Sequence, residues 1–490
     1  MIPFGDWTPD LPDKGSHATI AKNVIPALVS YRSFPALSVF SNALDAACNG
    51  AMAFKPTGIP YNFAGTPTKL YLLSSATYSN VSRVLGYAGS NENRWRFTTY
   101  GNRVIATNLV DPPQSYIIGT STIFADLTAT LKARFVGNIR EFTVFAYTND
   151  ATDGTKSNQV WWSAINNPTD YTPSVATQSD KQQIFGEGEQ GEITGFVGGE
   201  DGTIFMEGGI HKMTYVGGDV IFTFNQIVFG AGCKASGSIA AFGSMIFYLG
   251  PDGFYALSGS QATPIGSNKI DKWFYSDLDQ SLMHLISAVI DPINTLYIVA
   301  YPGTGNGGRC NRLIMFNWVT GKWSTAEPGD METLVNTMSQ AVNPDATDTD
   351  TIYGNPDTGP FANVSMDSRI FVGGKPQLSA INSDHKLAYF NAAPLTATIE
   401  TAETQPMPGQ RTLVTNCIPH IEGATNVSVE IGTRETVGGA VTYGSPAAIN
   451  SNGECNLFAN GRYMRARVTI TGGFTHAAGI DFEASSAGRY

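Results

Sequence analysis

The feature that most constrains this chain is a recurring texture. From about residue 40 onward, apolar and aromatic runs of four to eight residues meet a Gly, Asn or Asp turn, and another run follows. Examples are "KLYLLS" (69–74), "WRFTTYGNRVIATN" (95–108), "EFTVFAYTND" (141–150), "GTIFMEGGIHKMTYVGG" (202–218), "SMIFYLGPDGFYALSG" (244–259), "NTLYIVAYPG" (294–303) and "RLIMFNWVTGKWST" (312–325). Tyr, Phe, Val and Ile recur at every second place, as half-buried strands require. "TYGNRV", "LGPDGF" and "VTGKWS" carry the turn residues of hairpins. In the second, Gly253 can supply a positive φ and Asp252 can bond its own backbone, so Asp252 reads as a turn residue rather than a catalytic carboxylate.

Helical periodicity is confined to 266–285, where Ile270, Trp273, Phe274 and Leu278 predict one short helix near 268–279, with Ser267 or Asn268 at its N-terminus. Units of some 35 to 45 residues, each one small antiparallel sheet, predict an all-β fold with a β-propeller of six or seven blades over 41–385. "FNWVTGKWST" (316–325) resembles one kelch-type blade and places Trp323 where blades meet. The last hundred residues differ. "PLTATIETAETQ", "LVTNCIPHIEG", "NVSVEIGTRET" and "YMRARVTITGGF" alternate cleanly and predict a C-terminal antiparallel β-sandwich, or platform, over 386–490. Residues 1–40, with prolines at 3, 9, 12, 26 and 35, predict an extended N-terminal arm that serves the platform or clasps a neighbouring subunit.

Charge narrows the function. The formal net charge is −11, and a protein that grips duplex DNA needs Lys and Arg to neutralise phosphates. The five cysteines (48, 233, 310, 417 and 455) form no C-x-x-C and read as buried free thiols. The six histidines form no H-x-H or H-E-x-x-H pair, so neither a metal site nor a cofactor is expected. No G-x-S-x-G elbow or P-loop occurs, and "NPDTGPF" (355–361) falls one residue short of a sialidase-type Asp box. Glu400 and Glu403, three apart on an expected strand, should face opposite sides and make poor acid-base partners. "NPDATDTDTIYGNPD" (343–357) is rich in Asp but lacks the spacing of a calcium loop. The N-terminus has no basic and apolar signal segment, and no uncharged run reaches membrane-spanning length, so no membrane anchor is expected. No enzyme is expected.

The runs "NVIPALVSYRSFPALS" (23–38), "YNFAGTPTKLYLLSSATYSNVS" (61–82), "WRFTTYGNRVIATN" (95–108), "WSAINNPTDYTPS" (162–174), "GGEDGTIFMEGGIHKMTYVGG" (198–218), "FYLGPDGFYALSGSQATPIGSNKIDKWF" (247–274), "LTATIETAETQPMPGQR" (395–411) and "GRYMRARVTITGG" (461–473) carry a family likeness. In combination they resemble the tail hub, or nozzle, of short-tailed bacteriophages, also called the packaged-DNA stabilisation protein. The resemblance implies a structural virion protein, made in the host cytoplasm. It would be a β-propeller with a β-platform that forms a homohexameric ring below the portal adaptor and extends the channel through which DNA leaves. Its partners would be the portal adaptor (head-to-tail connector), a tail fibre, spike or needle, and passing double-stranded DNA that is not tightly held.

In such a ring, Asp180, Glu187, Glu189, Glu192, Glu200, Asp201 and Glu207, set against the single Lys181, are the candidate channel-lining groups, because repeated acids repel a polyanion. Segments 149–159 and 341–360, with Asp150, Asp153, Asp345, Asp348 and Asp350, are the candidate gate or partner loops. The alternatives are a phage receptor-binding or depolymerase propeller acting on host glycan, and a cellular binding propeller unrelated to virions.

Overall fold

The alternating runs pair with their sequence neighbours. A computed structural model describes residues 1–56, 59–218, 220–338 and 376–488. Among these, six four-stranded antiparallel sheets and the first four strands of a ten-stranded sheet form the seven blades of a β-propeller. Blade one spans strands Gly50–Phe54 to Thr77–Asn80, blade two Arg96–Tyr100 to Ala125–Asp126, and blade three Leu131–Ile139 to Asp180–Gln183. Blade four runs from Ile193–Val197 to Phe222–Phe229, blade five from Ala240–Phe242 to Gln261–Pro264, and blade six from Ser287–Asp291 to Lys322–Ala326.

Blade seven is assembled from both ends of the chain. Met331–Met338, Pro376–Asn382 and Lys386–Pro394 are completed by Pro35–Ala43, paired Ala388 to Val39 and Phe390 to Leu37. Its innermost strand, Met331–Met338, lies against those of blades six and one, which closes the circle. Closure leaves the prolines at 35 and 394 on an edge strand and at a strand end, where a missing N–H does least harm.

The core is distributed between blades. Phe142 of blade three meets Phe222 of blade four, and Phe205 of blade four meets Tyr248 of blade five, each with ring centroids 5.2 Å apart. Trp323 is buried at the junction of blades five and six, against Phe254 and Phe316, and its indole N–H donates to the Ile265 carbonyl. Each junction therefore excludes water from two alternating faces at once, which suits period-two patterning.

The platform is a two-sheet sandwich. One sheet holds Cys455–Gly461, Thr412–Glu422 and His476–Ser486, extended by Tyr31–Ser33, Val24–Pro26 and Ile2–Pro3. The other holds Asn426–Arg434, Tyr463–Thr471, Ala397–Thr401 and Ala18–Lys22, and continues into blade six. Two boundaries expected from the sequence move. The arm 1–40 is not separate: 1–33 is woven into the platform and 35–43 belongs to blade seven. The division at 385/386 falls inside the blade-seven sheet, which runs on to Pro394. The reason is topological, since closing a ring needs a strand distant in sequence.

Asn23 welds the two parts. At φ 60°, a conformation Asn tolerates better than most residues, its backbone N–H donates to the Thr325 carbonyl. Its side chain donates to the Thr396 carbonyl and accepts from the Glu327 amide, both at 2.8 Å.

The expected helix is the two-turn segment Asp271–Asp277, followed by a 3-10 stretch Gln280–Leu285. Ile270, Phe274 and Leu278 are buried. Its cap is not local. Asn268 is left-handed at φ 57°, and the free amides of Lys272 and Trp273 donate instead to Asp10 of the arm, at 3.0 and 2.8 Å.

Candidate functional site

The seven acids between 180 and 207 lie in blades three and four but do not form one group. Asp180 opens the outer strand of blade three, opposite Trp162. Glu187 and Glu189 are exposed in the connection entering blade four, and Glu192 ends that connection. Glu207 joins them there, its carboxylate accepting from the Glu192 amide at 3.2 Å. Glu200 and Asp201 occupy the turn at the far end of the five-residue strand Ile193–Val197, about 17 Å along the blade. Three of the seven are already paired: Glu192 with Arg134 at 2.9 Å, Glu200 with Arg140 at 2.5 Å, and Asp201 with Lys212 at 2.8 Å.

Segment 149–159, expected as a loop, is instead the tip of the hairpin between Phe142–Asp150 and Gly154–Trp162. Asp150 is buried and caps the turn, accepting from the Thr152 and Asp153 amides. Lys181 bridges Asp150 and Asp153 and lies 4.5 Å from the Trp161 ring. Partial burial works against its charge, but the hydrogen bond to Asp153 and the charges of both aspartates hold its pKa above the ordinary lysine value. The lysine that looked outnumbered in the sequence therefore has two specific partners. Asp345, Asp348 and Asp350 lie outside the described residues.

A constellation that sequence reading missed stands at one mouth of the propeller channel. Arg94 and Arg96 flank the buried Trp95 at the start of blade two, and Arg134 stands on the innermost strand of blade three. Lys234 comes from the connection into blade five. Arg96 and Arg134 both stand near one aromatic ring, 5.9 and 5.5 Å from the centroid of Phe135. Arg94 donates to the Glu332 carbonyl, and Lys234 stands 6.0 Å from the Tyr275 ring. Two cavities of about 280 Å³ each share Arg94 and Arg96 in their walls. The outer one adds Arg134, Lys234 and Asn108, and the inner one follows the innermost strands along 50–53, 286–289 and 333–336. A signal for this was present in "NRWRF": residues two apart on a strand share a face, so Arg94 and Arg96 had to point together.

Beside it, a cavity of about 240 Å³ is lined by Cys48, Cys310, Arg94, Glu332 and His385. Burial pushes both thiols up to about 12, which keeps them protonated and poorly nucleophilic. The Glu332 carboxylate accepts from the Cys48 amide at 2.7 Å and meets His385 Nδ1 at 2.5 Å. All five cysteines are free and buried.

Two groups of carboxylates depart from the sequence expectation. Asp252 is an exposed turn residue, yet a second acid does stand below the same turn. Asp271 is buried, accepts from the Phe254 amide at 3.2 Å, and is pushed up to about 6, chiefly by burial and further by Asp10 and Asp252. Gly253, at φ 150°, is required there, because a Cβ would sit 2.1 Å from that carboxyl. Glu400 and Glu403 were expected to face apart. The strand ends at Thr401, so alternation stops before Glu403, and both buried carboxylates turn onto Arg465. Arg434, Arg467 and Asp13 complete a buried ion network.

Among the described residues, no three His, Cys, Asp or Glu side chains are placed to hold a metal ion, and no helix is long and apolar enough to cross a membrane. No family model matches the chain, and no curated protein matches it. Solved structures similar to it include the computationally designed Ika8 protein, with 8% identity and a TM-score of 0.39 over 76% of this chain and 95% of that one. BamB from Moraxella catarrhalis aligns at 10% identity and a TM-score of 0.37, covering 74% of this chain and 92% of its own. BBS1N, solved in complex with ARL6DN, aligns at 10% identity and a TM-score of 0.37, covering 74% and 98%.

Proposed function

We propose that the chain is a non-enzymatic structural protein that assembles into a ring, the tail hub of a short-tailed bacteriophage implied by the resemblance of its sequence runs. The observation that carries this reading is the ten-stranded sheet in which blade six and one platform layer are continuous through Ala18–Lys22. Two domains joined by one hydrogen-bonded sheet move as one body, whereas domains joined by a linker move separately. A conduit under load from packed DNA requires that stiffness. The arm adds to it by entering the platform, capping the helix and completing blade seven.

In this reading the portal adaptor and a fibre, spike or needle dock on the ring, and DNA passes without being held. Glu187 and Glu189 are the acids best suited to face the lumen, since they are exposed and, among the described residues, make no ion pair. The test is the assembly itself, by native mass and negative-stain imaging. A six-fold ring with a central channel is the expected result, and a stable monomer or trimeric spike overturns the reading. In virions, the double variant Glu187→Lys with Glu189→Lys should slow DNA ejection. Unchanged ejection kinetics would remove these two residues from the channel.

A further inference from the structure

We propose that the channel mouth at Arg94, Arg96, Arg134 and Lys234 is a binding site for a small organic phosphate, with the phosphate among these four cations and the remainder of the ligand in the channel. The chain as a whole is acidic, at −11, yet four cations from two blades and one connection line one cavity. Three carboxylates stand near it: Glu192, already held by Arg134, Glu332, which lies beside Arg94 but is held by the Cys48 amide and His385, and Glu92, exposed at the rim. The four cations still outnumber the acids, and two of the three acids are already engaged.

The partners of the cations point the same way. Among the described residues, neither Arg96 nor Lys234 makes an ion pair. Arg96 is partly buried, and burial followed by the like charges of Arg94 and Arg134 pulls its pKa down to about 10. Contact with the Phe135 ring offers no hydrogen-bond acceptor for the guanidinium N–H groups of Arg96. Converging arginine forks supply several N–H donors in the planar geometry that phosphate oxygens accept.

The shape explains why an ester is favoured over the bare ion. The outer cavity of about 280 Å³ exceeds what phosphate fills, and through Arg94 and Arg96 it adjoins a second of equal volume. That second cavity is walled by small residues, Gly50, Ala51 and Ala53 among them, together with strand backbone that offers polar groups. An anionic head at the mouth and a compact polar body along the axis would occupy both. The site lies within one protomer and does not depend on ring formation.

The experiment is calorimetric titration of the full chain with inorganic phosphate, ribose 5-phosphate and ribose at constant ionic strength, since added salt screens such a site. Saturable binding of ribose 5-phosphate is expected, at least about tenfold weaker in Arg96→Gln and in Lys234→Gln. Arg140→Gln, which removes a cation of the same sign paired to Glu200 elsewhere, should bind as the parent does. Tighter binding of the ester than of inorganic phosphate supports the proposal, and equal or weaker binding of the ester overturns the placement of the remainder in the channel. No saturable binding of either phosphate, equal binding of ribose, or undiminished binding in the variants overturns it. Lys234 lies outside any strand, so its variant keeps the test valid if Arg96→Gln does not fold.

Discussion

Two arginine clusters divide the molecule. In the platform, Arg434, Arg465 and Arg467 are met by Glu400, Glu403, Glu430 and Asp13. Burial there would lower the pKa of Arg465, but Asp13 and Glu400 outweigh it and hold it above the ordinary arginine value. At the channel mouth, Arg94, Arg96 and Arg134 crowd together with two committed carboxylates, Glu192 and Glu332, and burial and mutual repulsion pull Arg96 the other way. The same side chain thus serves two ends. With carboxylates around it, it fixes how strands from both ends of the chain meet, and without them it keeps donors free for something from outside.

The largest effect should come from breaking the paired cluster. Arg465→Met leaves Glu400 and Glu403 buried against fewer cations, and should cost about 3–5 kcal/mol in chemical denaturation. A loss below about 1 kcal/mol would put the platform network on the footing of a surface one. Asp271 provides the intermediate case, a buried carboxylate that makes no ion pair among the described residues. Its folded pKa of about 6 stands above the ordinary 3.8, so between those values the folded chain keeps a proton that the unfolded chain has lost. The contribution of this group is therefore full at low pH and is lost as pH rises through about 6. Asp271→Asn, which keeps the acceptor for the Phe254 amide, should raise stability at pH 7 relative to pH 4.5 by on the order of 1–2 kcal/mol. Equal effects at both pH values would contradict the assignment.

Smaller effects sharpen the contrast. Asp13 is half exposed although it touches Arg465 at 2.8 Å, so Asp13→Asn should cost under about 1 kcal/mol. Arg96→Gln should change the unfolding free energy by less than about 0.5 kcal/mol, because it removes no ion pair. A loss of several kcal/mol there would make the channel cluster structural and erase the distinction.

Much of the propeller was legible because its signal is local. Alternation at "SMIFYL" and "FYALSG" needs only the next hairpin strand to bury its face, and Met245–Leu249 does pair with Phe254–Ser258. Trp323 could be placed at a blade junction for the same reason. The candidate sites were less legible. The acids of 180–207 are close in sequence, but strand direction carries Glu200 and Asp201 to the opposite end of the blade from Glu192 and Glu207. Conversely, Arg96, Arg134 and Lys234 are far apart in sequence and meet only because blades close in a circle. Glu400 and Glu403 failed the alternation rule because the strand stops between them.

By itself the sequence determined the repeated hairpin sheets, the sandwich strands and the short helix. Period-two burial, turn chemistry and a single amphipathic segment act over a few residues and admit few other solutions. Only the tertiary structure decided that Pro35–Ala43 closes blade seven, that Asn23 welds blade to platform, that Asp10 caps a helix some 260 residues away, and which arginines found carboxylates. Those choices depend on which distant segments close the ring, and no local pattern of side chains encodes the closing partner.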